Sequence, residues 1–273
     1  MSQRTRSLLW TGLLALVALA TVAPLLWMVS VSLMPTGEAN ALPPRLLPSR
    51  VTLEQYRQLF SHLNLGRSFA NSLFLAVAVT AISLLLNSLA GYAFAKLRFA
   101  GRDRLFALLL AGLVVPAQVG MLPLFLMLKA LGLVNTYAGV MIPSLVSISG
   151  IFLVRQHALS IPGELLDAAR VDGASEGRIF FRLVLPLLTP ILVTLGVLTF
   201  LGSWNDFLWP LIILADESHY TLPAALANLQ GEHVQDTELM MAGSVLTILP
   251  TLVLFFALQR FYLEGILMGG VKE

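Results

Sequence analysis

The stretch Ser68–Ala95 reads SFANSLFLAVAVTAISLLLNSLAGYAFA and contains no Asp, Glu, Lys or Arg. A helix that crosses a lipid bilayer needs roughly 20 consecutive apolar residues, so an uncharged stretch of this length predicts one. Five further charge-free runs are Ser7–Gly37, Leu105–Leu128, Ala130–Val154, Leu183–Asn205 and Leu239–Gln259. The sequence therefore predicts an all-α integral membrane protein with six transmembrane helices.

The overall composition fits a protein whose solvent is lipid. Hydrophobic residues make up 57% of the 273 residues and charged residues only 12%, whereas a soluble domain carries about 25% charged residues. The absence of cysteine excludes disulfides, a thiolate nucleophile and a cysteine-based metal site. The histidines form no HExxH motif, so no zinc site is expected. The net charge of +2 does not indicate a nucleic-acid partner.

The first charge-free run has two possible interpretations. Arg4 and Arg6 followed by an apolar stretch resemble a signal peptide. The apolar part, about 8–33, is much longer than the 7–15 residues of a signal core, which favours an uncleaved first helix. The apolar segment Phe207–Ala215 is too short to span, and we expect an interfacial or re-entrant continuation of the fifth helix.

The distribution of basic residues predicts the orientation of the chain. Lys and Arg accumulate in cytoplasmic loops. With the N-terminus inside, the six helices place twelve of the 17 basic residues inside and leave five outside, which are Arg45, Arg50, Arg57, Arg67 and Lys129. We expect a multi-pass protein of the plasma or inner membrane with both termini cytoplasmic. The loops at about 34–67 and 207–238 then lie outside, and the longest inner loop covers about 155–182.

The inner loop contains the most specific pattern. Residues 160–190 read SIPGELLDAARVDGASEGRIFFRLVLPLLTP. Ser160 and Pro162 suit a helix start, Gly173 fits the left-handed residue that ends a helix, and Ser175 can cap a second short helix. The loop therefore predicts a helix–glycine–helix element outside the membrane.

The side chains of this element predict a docking surface for another chain. Ala168 and Ala169 permit close approach, and Leu165 and Leu166 are expected to add apolar contacts. The aromatic pair Phe180 and Phe181 would anchor the second short helix.

This loop resembles the EAA loop of ABC-importer permeases, which reads Glu-Ala-Ala, three residues, Gly, nine residues, Ile, one residue and Leu-Pro. Here Asp167-Ala168-Ala169 is followed by Gly173, Leu183 and Leu185-Pro186 at that spacing, with Asp for Glu and Leu for Ile. The stretch Gly202–Leu211 resembles the end of the fifth helix of carbohydrate-type permeases. The tail Gly265–Lys272 resembles the C-terminus of the six-helix, maltose-type subunit.

The resemblance covers roughly residues 65–273 and implies a type I importer. It implies an N-terminal part (1–64), a permease core (65–262) with the loop at 160–190, and a cytoplasmic tail (263–273). It also implies a second permease subunit in a heterodimer, two ATPase subunits that carry ATP and Mg, and an extracytoplasmic solute-binding protein. The expected ATPase-coupling residues are Glu164, Leu165, Asp167, Ala168, Ala169, Asp172, Gly173, Phe180 and Pro186. The expected cargo is a sugar or oligosaccharide, with glycerol phosphate or another small polar solute as the alternative.

Other function classes fit the residues less well. No GxxxxGK[ST] motif occurs, so this chain is not expected to bind ATP or any other cofactor itself. An ion-coupled carrier places ionisable residues inside the membrane, and the six runs contain no Asp, Glu, Lys or Arg. A membrane-embedded hydrolase would need a histidine–nucleophile or metal cluster in the spans, which no histidine clearly supplies.

Two polar groups in or near the spans have an open interpretation. Trp204, Asn205 and Asp206 could contact a sugar or form an outer gate, because an aromatic face stacks on a sugar ring and the polar side chains bind hydroxyls. They could equally belong to an interfacial aromatic belt. Ser83, Asn87 and Gly91 lie on one face of the second helix, where a packing seam is favoured over a pore lining.

Overall fold

The computed structural model describes residues 3–43, 45–61, 64–232 and 236–270, which contain helices and turns and no strand. The chain forms two compact units, Met1–Arg67 with Ala225–Leu252, and Ser68–Ala224 with Val253–Glu273. The α-helices are α1 (Gln3–Ser32), α2 (Glu54–Ser61), α3 (Leu65–Lys96), α4 (Arg102–Ala111), α5 (Met121–Ala130), α6 (Tyr137–Met141), α7 (Ile148–Leu159), α8 (Gly163–Val171), α9 (Glu176–Ile179), α10 (Leu185–Leu187), α11 (Thr189–Trp204), α12 (Leu208–Ile213), α13 (Leu222–Glu232) and α14 (Thr237–Gly270).

The helix lengths account for six membrane crossings within the described residues. Three helices are continuous and apolar enough to span, at Trp10–Ser32, Leu65–Lys96 and Thr237–Ala257. By length and composition, three bent helix pairs can each supply one more crossing, and they are Arg102–Val114 with Ala117–Ala130, Tyr137–Ser144 with Ile148–Leu159, and Glu176–Leu187 with Thr189–Trp204. The predicted all-α, six-helix membrane fold is confirmed.

The third, fourth and fifth spans are each broken by a bend, which the charge-free runs do not specify. The third bends by 95° at Val115, whose backbone is extended at φ −85° and ψ 117°. The cause is Pro116, because the proline ring disfavours a helical conformation for the residue before it. The fifth bends by 78° around Leu188, two residues before Pro190.

The fourth span begins later than predicted. Its first helix starts at Tyr137 and not near Ala130, because Gly132 and Asn135 both have positive φ angles and form a turn. A bend of 44° follows Pro143. The short helix α12 lies within Phe207–Ala215, for which an interfacial or re-entrant continuation of the fifth helix stays a prediction. At the other end of the chain, α14 extends past the predicted limit at Gln259 to Gly270, and residues 271–273 of the predicted tail lie outside the described residues.

The polar residues of α3 form a packing seam, as favoured from the sequence. Ser83 and Asn87 are fully buried, and the Asn87 amide donates to the Ser83 hydroxyl at 2.8 Å. The Asn87 carbonyl oxygen accepts from the backbone N–H of Ser147 at 3.0 Å, in the break of the fourth span. Gly91 lies directly against Val154 of α7. Asn87 therefore supplies the partner that a broken helix lacks inside a bilayer.

Candidate functional site

Helix α8 and its C-terminal turn form a compact surface element. Gly173 has φ +81°, its N–H donates to the carbonyl of Arg170 at 3.0 Å, and the N–H of Ala174 donates to the carbonyl of Ala169 at 2.9 Å. This pair of bonds is a Schellman motif, which uses a left-handed residue to satisfy the last helix carbonyls. The predicted helix end at Gly173 is confirmed.

A second short helix follows at once. The Ser175 hydroxyl accepts from the Arg178 N–H at 3.4 Å and caps α9, and a π-helical turn, Phe180–Val184, leads into the fifth span. Phe180 is 2% exposed and packs in the core with Tyr92 and Val184, whereas Phe181 is 54% exposed. Only the first of the two predicted aromatic anchors is therefore an anchor.

The burial of α8 separates an inner face from an outer face. Leu166 is 2% exposed and belongs to this chain's own core, so the expectation that it contacts another protein is wrong. Leu165 and Val171 are 41% and 88% exposed, and Ala168 between them is also exposed. Residues three apart lie on one side of a helix. These three side chains form an exposed apolar stripe, and sequence reasoning missed Val171 although its spacing indicates it.

The remaining predicted coupling residues differ in their exposure and in their distance from this stripe. Glu164, Asp167 and Asp172 are exposed, and Ala169 is half-buried against the core. Pro186 lies elsewhere, in the bend before α11, where it lines an apolar groove of about 670 Å³. The structure therefore gathers the α8 residues into one surface and leaves Phe180 and Pro186 outside it.

A charged network fixes this surface to the membrane helices. Arg170 donates to Asp167 at 2.6 Å and to Glu176 at 2.7 Å. The second oxygen of Glu176 accepts from the hydroxyl of Tyr92, on α3, at 2.9 Å. The hydrogen bond to Glu176, followed by that to Asp167, raises the pKa of Arg170 above its ordinary value, so Arg170 remains a cation. The network links α8, α9 and α3 through charge-assisted bonds.

The segment Trp204–Asp206 does not expose the aromatic face that a sugar contact would require. Trp204 is fully buried, with Phe69 edge-on at 5.4 Å and Phe200 stacked at 6.1 Å between ring centroids. Its ring is covered by its own chain, so in this conformation it cannot stack on a sugar. Asn205 donates to the carbonyl of Leu201 at 2.9 Å, and Asp206 accepts from the N–H of Trp209 at 3.3 Å. The three residues pack and cap helices here.

Comparison with known proteins places this architecture in a family. Residues 87–264 match the binding-protein-dependent transport system inner membrane component family. The chain belongs to this family. The permease is therefore a membrane subunit of an ATP-binding-cassette importer, and the family match includes the whole α8–α11 region.

Individual relatives cover nearly the full permease. It is 40% identical over 94% of each chain to the arabinooligosaccharides transport system permease protein AraQ of Halalkalibacterium halodurans. It is 34% identical to the lactose transport system permease protein LacG of Rhizobium radiobacter, over 96% of the permease and 94% of LacG. Among solved structures, a chain of a bacterial ABC transporter involved in the import of the acidic polysaccharide alginate matches with a TM-score of 0.84 and 25% identity, over 96% of the permease and 99% of that chain.

Proposed function

We propose that the permease forms half of the translocation pore of an importer for a di- or oligosaccharide. The names of the relatives, which refer to arabino-oligosaccharides and lactose, support a sugar cargo. The alginate importer that shares the fold supports an oligomeric sugar as the cargo. Glycerol phosphate or another small polar solute is the alternative cargo within the same transport class.

The observation that carries the coupling part of the proposal is the exposed stripe of Leu165, Ala168 and Val171 on α8. A stripe with a small residue at its centre fits a cleft in an ATPase subunit, because the cleft wall can approach the Ala168 methyl closely. Exposed Asp167 and Asp172 border the stripe and suit a cleft with basic residues at its rim. ATP and Mg are bound by that partner and not by this chain.

Transmission of motion requires that α8 moves with the membrane helices and does not bend away from them. The buried side chain of Leu166 anchors α8 in the core. The Arg170–Glu176–Tyr92 network ties it laterally to α3. A displacement of the stripe by a closing ATPase would thus be carried to α3 and, through the π-helical turn, to the fifth span.

The other partners follow from the same proposal. A second permease subunit in a heterodimer completes the pore, a second ATPase subunit couples to it, and an extracytoplasmic solute-binding protein delivers the sugar. The twelve-to-five distribution of basic residues supports cytoplasmic termini and a cytoplasmic α8. The loop at 207–238 would face the binding protein. Within it Asp216 and Glu217 are exposed, while Glu238 is buried and accepts from the N–H of Ala39 at 2.7 Å.

The test is a site-specific cross-link. Because the chain contains no cysteine, a Val171→Cys variant carries a single thiol that a photoreactive maleimide can label. We expect irradiation of the complete transporter to join this position to an ATPase subunit. The matched control is Ala215→Cys, which is exposed in the outer loop and should join the binding protein or nothing. A cross-link from position 215 to the ATPase, with none from position 171, would refute both the surface and the orientation.

A further inference from the structure

The turn between α3 and α4 carries a concentrated positive charge. Residues 96–104 include four basic residues and one acidic residue, a net charge of +3. A cavity of about 520 Å³ opens in this turn, lined by Arg98, Phe99, Gly101, Arg102, Asp103 and Arg104. The turn is possible because Gly101 has φ +80°.

Two of the basic side chains around the cavity have no partner in the described part of the chain. Arg102 donates to Asp103 at 3.0 Å and to the carbonyl of Leu97 at 3.3 Å. Lys96 is also engaged, since its amine donates to the carbonyls of Leu159 and Ile161. Arg98 and Arg104 are exposed and make no ion pair or hydrogen bond there. Two guanidinium groups are thus available to an anion in the cavity.

The position of the cavity relative to the bilayer identifies the kind of anion. Helix α3 has 32 residues, which at 1.5 Å per residue is about 48 Å and slightly more than a bilayer with its headgroups. A membrane-spanning helix of this length is expected to end at headgroup level. Phe99 beside the cavity is 41% exposed, and aromatic residues concentrate at this level.

The adjacent surface distinguishes a lipid from a free anion. Leu105 and Leu108, on α4 next to the cavity, are 51% and 71% exposed. They offer apolar surface for acyl chains beside the guanidinium groups. A free phosphate would use only the guanidinium groups, whereas a phospholipid would use both surfaces.

We propose that this cavity binds the phosphate of an anionic phospholipid, held by Arg98 and Arg104, with the acyl chains against Leu105 and Leu108. The site lies outside α8 and does not depend on the proposed cargo or on coupling. Because the lipid contacts both the end of the second span and the start of the third, it would stabilise the turn between them.

The experiment measures retention of phosphatidylglycerol by the purified full-length chain in detergent, using native mass spectrometry. About 1 kcal/mol per basic residue corresponds to about fivefold in affinity, so we expect Arg98→Gln with Arg104→Gln to weaken binding about 30-fold. The matched control is Arg178→Gln, which removes an exposed arginine outside the cavity and should leave binding unchanged. Arg98→Lys with Arg104→Lys retains the charge and should retain most of the binding.

Four results would overturn the site. One is unchanged phosphatidylglycerol binding by the double glutamine variant. Another is equal retention of phosphatidylcholine by the wild type, which would remove the requirement for an anionic headgroup. The third is displacement of the lipid by millimolar inorganic phosphate, which would identify a free-anion site. If the lysine and glutamine double variants lost phosphatidylglycerol binding equally, the loss would result from altered folding, and the proposal would also be refuted.

Discussion

Ala168→Trp is expected to prevent the ATPase subunits from associating with the permease. The Ala168 methyl lies at the centre of the exposed stripe between Leu165 and Val171. One added methylene in a packed contact already costs about 1–3 kcal/mol when there is no room. An indole is far larger, so we expect at least about 3 kcal/mol, which corresponds to roughly a hundredfold weaker association.

The measurement is the amount of ATPase subunit that co-purifies with the tagged permease, together with ATP hydrolysis stimulated by loaded binding protein. Both should fall to background for Ala168→Trp, while membrane insertion stays normal. The control is Ala100→Trp, the same change at an exposed alanine in the α3–α4 turn. Normal stoichiometry and normal hydrolysis in Ala168→Trp would show that α8 is not the docking surface.

Gly91→Leu is expected to destabilise the fold itself. A Cβ atom added at Gly91 would lie 2.6 Å from Cγ1 and 2.7 Å from Cβ of Val154, and 3.0 Å from the backbone nitrogen of Arg155. The backbone of α7 cannot yield as a flexible side chain can. Overpacking of this kind costs about 1–3 kcal/mol for small additions, and we expect more for a leucine. The folded protein should be lost or strongly reduced.

A matched glycine provides the control. Gly202 lies in α11, and a Cβ atom there would meet nothing within 4 Å. We expect Gly202→Leu to retain the wild-type unfolding temperature in detergent, and Gly91→Leu to lower it by many degrees or to yield only aggregates by size exclusion. Equal stability of the two variants would mean that α3 and α7 do not pack closely at this point.

The crossings were predictable from the sequence, but the breaks in the third and fifth of them were not. A charge-free run indicates which segment of the chain lies in lipid, and this information is enough to count the membrane helices. It does not report whether the helix is continuous, because a proline in a span can be accommodated in several ways. At Pro116 the preceding residue became extended, whereas α14 continues through Pro250. Neighbouring helices decide between these outcomes, and their positions are absent from a single sequence.

The local features of the loop were predicted and the tertiary ones were not. Gly173 and Ser175 act through backbone angles and hydrogen bonds within a few residues, which the sequence encodes directly. The burial of Leu166 and the exposure of Val171 depend on which side of α8 meets the core. The burial of Trp204 depends likewise on Phe69, more than a hundred residues away in the sequence. The residue type alone had suggested that Trp204 could contact a sugar.

The most direct test of the central proposal is uptake by the complete transporter in proteoliposomes that contain ATP. We expect accumulation of a labelled oligosaccharide that requires the binding protein, ATP and this permease, and that does not respond to an imposed proton or sodium gradient. Uptake driven by such a gradient without ATP, or uptake of glycerol phosphate but of no sugar, would contradict the proposed function.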